Sequence, residues 1–391
     1  MTTQGEAQQP DARPPAFLEP EHFDDVIQIL RRRGYRTIGP TRRDGAIVYD
    51  EIESAQDLPV GWTDEQSPGR YRVRPRGDHA LFAYASAAHA WKRFLHPPNL
   101  QLWRAQRTNG HVELVADSAP PPRYAFVGVR ACDLEAIRRL DQVMMDGPYV
   151  DHVYRALRRD AFLVAVNCCD PSGTCFCVSM GTGPRVTGLA DLVLTEMVGA
   201  GRHFLTLVAG TASGQEVLDE LGRRAATDEE CRLADASVEA AAQNMGRSLA
   251  VDGLREALAN SPEHPRWEHV SKRCLTCGSC TLSCPTCFCS TVEDVTALRG
   301  DATERRRLWD TCFSVEFSYL HGGSVRLSPR SRYRQWLTHK FSTWHDQFGV
   351  GGCVGCGRCI TWCPVGIDVT EEASVIRQAV PLPGSTGPMT E

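Results

Sequence analysis

No stretch of this 391-residue chain approaches the roughly 18 consecutive apolar residues that a membrane helix needs, so no membrane-spanning protein is expected. Met1 to Pro20 is polar and proline-rich and lacks the apolar centre of a secretory signal. A strong excess of either charge is missing too. The formal net charge of −5 gives no global case for nucleic acid or an anionic membrane surface. No Ser/His/Asp arrangement stands out, and His96, His321 and His339 lack ligand spacing. Met180-Gly181-Thr182-Gly183-Pro184 is too short for a nucleotide-binding loop and lacks G-x-G-x-x-G spacing. What remains is an ordinary globular composition, 42% hydrophobic and 23% charged, long enough for two or three domains in a reducing cytoplasm.

Cysteine is the anomaly, with 17 residues. Eight of them form two runs, Cys274-x2-Cys277-x2-Cys280-x3-Cys284-Pro285 and Cys353-x2-Cys356-x2-Cys359-x3-Cys363-Pro364. This is the run that holds 4Fe–4S clusters in bacterial ferredoxins. Three thiolates on one tight loop cover three iron corners of a cubane, and the fourth, held off by proline, usually reaches the other cluster. The crossing predicts one cluster on Cys274, Cys277, Cys280 and Cys363, and another on Cys353, Cys356, Cys359 and Cys284. Zinc is the rival reading, but zinc sites tend to use separated C-x2-C pairs. The spacing points to electron transfer.

The pattern divides the chain into a disordered tail over residues 1–20, an α/β domain over 21–245, a dicluster domain over 246–380 and a flexible tail over 381–391. The fold class is α+β. Phe23, Val26, Ile27 and Leu30 have helical spacing. Strands are predicted at 46–49, 71–73, 80–84, 124–129, 161–166, 192–194 and 204–208, with a helix over 133–143 completing a parallel β–α–β unit. An alanine-rich helical stretch over 228–259 leads to the cysteine runs. Between Cys284 and Cys353 lie nearly 70 residues that read largely as helix, including 332–347 with Trp336, Leu337, Phe341 and Trp344 on one side. Such a stripe is more simply core packing against the clusters than a site of its own.

A third group is Cys132, Cys168, Cys169, Cys175 and Cys177. Cys132 and Cys168 follow the two predicted parallel strands, whose carboxyl ends are where open α/β sheets hold ligands. The loop from Asp170 to Cys177 can fold back and add Cys175 and Cys177, with Cys169 competing for the place of Cys168. The functional reading is a third 4Fe–4S cluster on Cys132, Cys168, Cys175 and Cys177. The bland one is buried, unligated thiols or another metal. Cys287, Cys289 and Cys312 read as packing beside a cluster or tuning it, and Cys231 as a helix residue without a metal role. The basic residues Arg305, Arg306, Arg307, Arg326, Arg330, Arg332, Arg334 and Lys340 read as solvated or as balancing anionic clusters, ahead of a partner-docking face.

These motifs carry a resemblance. Gly128-Val129-Arg130-Ala131-Cys132-Asp133-Leu134, the stretch from Gly173 to Pro184, Cys284-Pro285-Thr286-Cys287-Phe288-Cys289 and the stretch from Cys353 to Asp368 resemble the iron–sulfur beta subunit of soluble, NAD(P)-linked nickel–iron hydrogenases, or sulfhydrogenases. The electron-transfer subunit of anaerobic sulfite reductase is a related protein. The resemblance implies a helical-ferredoxin dicluster domain after the α/β domain, and a multisubunit cytoplasmic complex. In that complex a flavin-containing diaphorase-type subunit handles NAD(P)H, hydrogenase small and large subunits form the catalytic module, and this chain passes electrons between them. The alternatives are the same wiring in a sulfite or sulfur reductase, and a cluster-based redox sensor or DNA-binding regulator. The regulator would need a recognition helix that the sequence does not offer. The chain lacks nickel-binding, flavin and nicotinamide motifs, so it is expected to carry electrons without catalysing alone and to bind neither nucleic acid nor membrane.

Overall fold

The computed structural model of the protein describes residues 13–108, 111–115, 120–199 and 201–379. Its first layer grows from unbroken apolar runs that are buried on both faces. Along the chain the first strands are β1 (Ala16–Leu18), β2 (Arg36–Arg43), β3 (Ala46–Glu51), β4 (Trp62–Ser67) and β5 (Arg70–Pro75). They are followed by β6 (Asn99–Thr108), β7 (His111–Val115), β8 (Tyr124–Arg130) and β9 (Phe162–Val166). The remaining strands of the two larger sheets are β10 (Leu192–Gly199), β11 (Arg202–Ala209), β12 (Ser290–Thr296) and β13 (Ala302–Trp309).

Seven strands form the main sheet in the order β1-β11-β10-β9-β8-β2-β3, parallel from β2 through β10 and antiparallel at both edges. The crossover from β8 to β9 runs through helices Ala131–Met144 and His152–Arg159, as parallel neighbours require. Helix Phe23–Arg32 buries Phe23, Val26, Ile27, Ile29 and Leu30 along one stripe, each such residue contributing about 1.5–3 kcal/mol. Cys132 lies in the first turn of the helix after β8, and Cys168 two residues beyond β9. Both thiols therefore emerge at the carboxyl ends of adjacent parallel strands.

Three expectations need correction. Residues 13–20 are ordered: β1 pairs with β11, Ala226 N–H donates to Pro15 O at 2.7 Å, and Arg224 lies 3.6 Å over the Phe17 ring. The short apolar triplet Ala16-Phe17-Leu18 suffices because it only has to complete a sheet edge. Residues 1–12 and the predicted tail 381–391 lie outside the described residues. Residues 80–84 are buried loop rather than strand, since the Glu196 carboxylate accepts from Leu81 N–H at 2.7 Å and Phe82 N–H at 2.8 Å in place of a neighbouring strand. The segment between the cysteine runs opens with the hairpin β12–β13, where helix dominated the reading. β13 then pairs with β6 in a four-stranded sheet, β12-β13-β6-β7, so strands from 21–245 and 246–380 share one sheet. The Ser290–Thr296 segment is rich in Thr and Val, which favour strands.

Beyond the hairpin the expected helices appear. Pro329–Thr338, a π-helical turn His339–Thr343 and Trp344–Phe348 run on continuously, with Trp336, Leu337, Phe341 and Trp344 all buried. The alanine-rich stretch breaks into Asp228–Gln243 and Leu254–Asn260. Between them Gly246 presses on Gly173 so tightly that a Cβ would meet its backbone at 2.3 Å. Among the described residues, no helix is long and apolar enough to cross a membrane.

Candidate metal centres

The first set is built on a loop and a one-turn helix. Cys274, Cys277 and Cys280 come from Cys274–Cys280, and Cys363 arrives from the second run. All four line one apolar cavity walled by Phe313, Tyr333, Trp336, Ile367 and Val369. Thr276 adopts a left-handed conformation (φ 52°), which aims its N–H at Cys274 Sγ, 3.4 Å away, while Ile367 N–H points at Cys363 Sγ from 3.3 Å. Cys277 is the one exposed thiol of the 17. It stands at the surface beside Leu275.

In the second set Cys284, Cys353 and Cys356 are buried and Cys359 is half-buried. Burial raises Cys353, Cys356 and Cys359, taking Cys353 up to about 12, and the charge of Cys284 raises all three further. The second run repeats the first: Gly355 takes the place of Thr276, with φ 65° and its N–H 3.4 Å from Cys353 Sγ. Glycine is required there because a Cβ would meet the Phe176 carbonyl at 2.6 Å. Gly278 and Gly357 take left-handed conformations and start the short helices Ser279–Leu282 and Arg358–Thr361. Cys359 also lines the first cavity, so it stands between the two sets.

The third set is the N-terminal one. Cys132, Cys168, Cys175 and Cys177 line a single cavity with Arg130, Pro184 and Met245. Burial pushes the Cys175 thiol up to about 11, and Ser172 Oγ lies 3.1 Å from it. The loop carrying Cys175 and Cys177 is locked onto the second run: Phe176 N–H donates to Gly355 O at 2.8 Å, and Thr182 Oγ1 to Val354 O at 2.7 Å. Cys132 and Cys177 both feel the charge of Cys356. Cys356 also lines the third cavity, so the third set adjoins the second as the second adjoins the first.

Cys169 is not in the third set. It lines a separate polar cavity of about 200 Å³ with Arg76, Asn167, Asp170 and Glu196. Cys168 lines the cavity shared with Cys132, Cys175 and Cys177, and Cys169 does not. Cys287 lies against Cys284, and Cys289 accepts a hydrogen bond from Cys312 that pulls it down to about 7. Cys231 sits in helix Asp228–Gln243, away from all three sets. No group of three or more His, Cys, Asp or Glu side chains among the described residues converges on a point fit for a single metal ion. Tetrahedral zinc would draw sulfurs to about 3.8 Å from one another. These thiols ring cavities, as a larger inorganic core requires.

Each set also has a buried cation: Arg332 and Lys340 belong to the basic stretch expected to balance anionic clusters, and Arg130 was not singled out for that role. Arg332, 5% exposed, has Nε and Nη1 without partners and lies near Cys274. Lys340, 3% exposed, donates to Cys284 Sγ at 3.2 Å. Arg130, 2% exposed, donates to the carbonyls of Phe82, Tyr84 and Asn167 and lines the third cavity. None of the three has a carboxylate partner among the described residues. A buried cation without an anion costs several kcal/mol, so each needs negative charge nearby. Thiolates around an iron–sulfur core supply it, and the residues present therefore fit that group. Arg358, by contrast, is balanced by Asp133 in a bidentate pair at 2.8 and 3.0 Å that joins the second run to the helix carrying Cys132.

Comparison with known proteins agrees with this geometry. Residues 273–367 match the family described as a 4Fe-4S dicluster domain. The chain is 28% identical over 370 residues to sulfhydrogenase 2 subunit beta of Pyrococcus furiosus, an alignment spanning 93% of this chain and 98% of that one. No solved structure matches. The resemblance to an iron–sulfur beta subunit of sulfhydrogenase stands, and the two findings support an iron–sulfur protein that transfers electrons within a larger complex.

Proposed function

We propose that this chain is the electron-relay subunit of a cytoplasmic hydrogenase complex, and that its three thiol sets hold three 4Fe–4S clusters in a row. The ligands are Cys132, Cys168, Cys175 and Cys177; Cys284, Cys353, Cys356 and Cys359; and Cys274, Cys277, Cys280 and Cys363. The observation that carries the reading is the sharing of cavity walls between neighbouring sets: Cys356 lines the cavity of the third set, and Cys359 lines that of the first. Bound there, cubane clusters supply one-electron redox chemistry without bond-making.

The protein does the rest. Phe176, Trp336 and Tyr333 exclude water, the backbone N–H groups of Thr276, Gly355 and Ile367 point at ligand sulfurs, and Arg130, Lys340 and Arg332 neutralise the ligand charge. Cys277 and Leu275 offer the surface end of the row to a partner. The partners in this reading are a flavin subunit that handles NAD(P)H and the hydrogenase small and large subunits. Purifying the native complex and assaying hydrogen-dependent NAD(P) reduction beside sulfite reduction tests it. A complex that reduces sulfite but takes no electrons from hydrogen would overturn the hydrogenase assignment.

A further inference from the structure

Only three of the 43 Lys and Arg residues of this chain are lysine: Lys92, Lys272 and Lys340. Two of them, Lys92 and Lys340, are buried, and both lie against the segment Cys284–Cys289. Lysine carries its charge as a compact ammonium, whereas arginine spreads it over a planar fork.

Lys340 belongs to the π-helical turn His339–Thr343, a local widening that is uncommon and concentrates at functional positions. Its three N–H donors are all used. They reach Cys284 Sγ at 3.2 Å, Thr286 Oγ1 at 3.1 Å and Gly352 O at 3.4 Å, and Gly352 N–H returns a bond to Lys340 O at 2.8 Å. The ammonium is therefore fixed. Among the described residues it is also the one buried cation with a direct hydrogen bond to a ligand thiol: Arg130 donates to carbonyls, and Arg332 leaves Nε and Nη1 unpartnered. Cys284 is the crossing thiol, the single contribution of the first run to the middle set.

We propose that Lys340 is a positioning residue that raises the reduction potential of the middle centre, making it the place where an electron entering from either end of the row comes to rest. The inference rests on the three-centre reading above. Adding an electron adds negative charge, and a fixed positive charge hydrogen-bonded to a ligand sulfur inside a low-dielectric core stabilises that state. The neighbouring centres, whose cations make no such bond, should feel it weakly.

The test is an EPR-monitored redox titration of the cluster-loaded full chain, comparing wild type with Lys340→Gln and Lys340→Arg. Lys340→Gln should move one signal to lower potential and leave the others in place, and Lys340→Arg should restore most of that shift. Unmoved potentials in Lys340→Gln would overturn the proposal while leaving the relay intact. A wild-type protein with no reduced-cluster signal would instead sink the relay itself. If Lys340→Gln does not load, wild-type protein grown with 15N-lysine decides. A 15N hyperfine coupling on one reduced signal supports the contact, and its absence ends the proposal.

Discussion

Replacing Asp133 with asparagine should destabilise the protein by about 3–5 kcal/mol, the cost of leaving a buried charge without its partner. Asp133 and Arg358 are 1% and 0% exposed, and their two parallel bonds measure 2.8 and 3.0 Å. Arg358 also donates through Nε to Ala87 O at 3.1 Å, and Tyr49 Oη to Asp133 at 3.3 Å, so neither side chain can swing to solvent. The pair joins the helix that carries Cys132 to the turn between Cys356 and Cys359. At about 2.1 cal/mol/K per residue, a chain of 391 residues has an unfolding entropy of roughly 0.8 kcal/mol/K. The Asp133→Asn variant should therefore melt about 4–6 °C lower. The measurement is anaerobic calorimetry of cluster-loaded protein at one fixed scan rate, because proteins with bound clusters rarely unfold in two states. Removing both charges, in Asp133→Leu with Arg358→Met, should recover most of the loss, since no charge then has to be desolvated. A single variant melting within about 1 °C of wild type, or a double variant as weak as the single, would refute the argument.

Cys175→Ser should cost about four irons and leave about eight, whereas Cys169→Ser and Cys231→Ser should leave the count unchanged, as read by iron and sulfide analysis. Gly355→Ala forces a Cβ to within 2.6 Å of the Phe176 carbonyl, so it should loosen the loop of the third set and shift a cluster potential; an unshifted titration counts against it. His96 is 1% exposed and has no partner on either ring nitrogen among the described residues, and burial holds it down at about 4 against the ordinary 6.5. A depressed histidine stays neutral in the fold, so stability is full above about pH 6.5 and falls as pH drops toward 4, by up to about 3 kcal/mol. His96→Phe should flatten the melting temperature between pH 6.5 and 5, and an unchanged slope would remove His96 as the cause.

The two cysteine runs are legible because ligand spacing is local: four thiols within eleven residues declare their chemistry before any fold is known. The third set is legible only through topology. Cys132 and Cys168 are far apart in sequence and meet because β8 and β9 are parallel neighbours, a relation that their apolar runs betray. Cys175 and Cys177 could be grouped with them, but Cys168 against Cys169 needed the cavity that each thiol lines. The hairpin β12–β13 escaped because its strands are half-exposed and charged, without the apolar alternation that marks a core strand. Its stabilising partner, β6, lies some 200 residues upstream. Arg332 and Lys340 are legible only as members of a basic stretch, and Arg130 has no signature of its own. A lone basic residue looks the same whether it is solvated or aimed at a sulfur, and only burial without a carboxylate distinguishes the two.

Metal analysis of anaerobically reconstituted full-length protein, with acid-labile sulfide measured alongside and EPR after dithionite, bears most directly on the relay of three centres. The predicted result is about twelve irons and about twelve sulfides per chain, with spin–spin broadening between neighbouring reduced centres. A plateau at about eight would remove the third centre, and a colourless preparation without a signal would contradict the whole account.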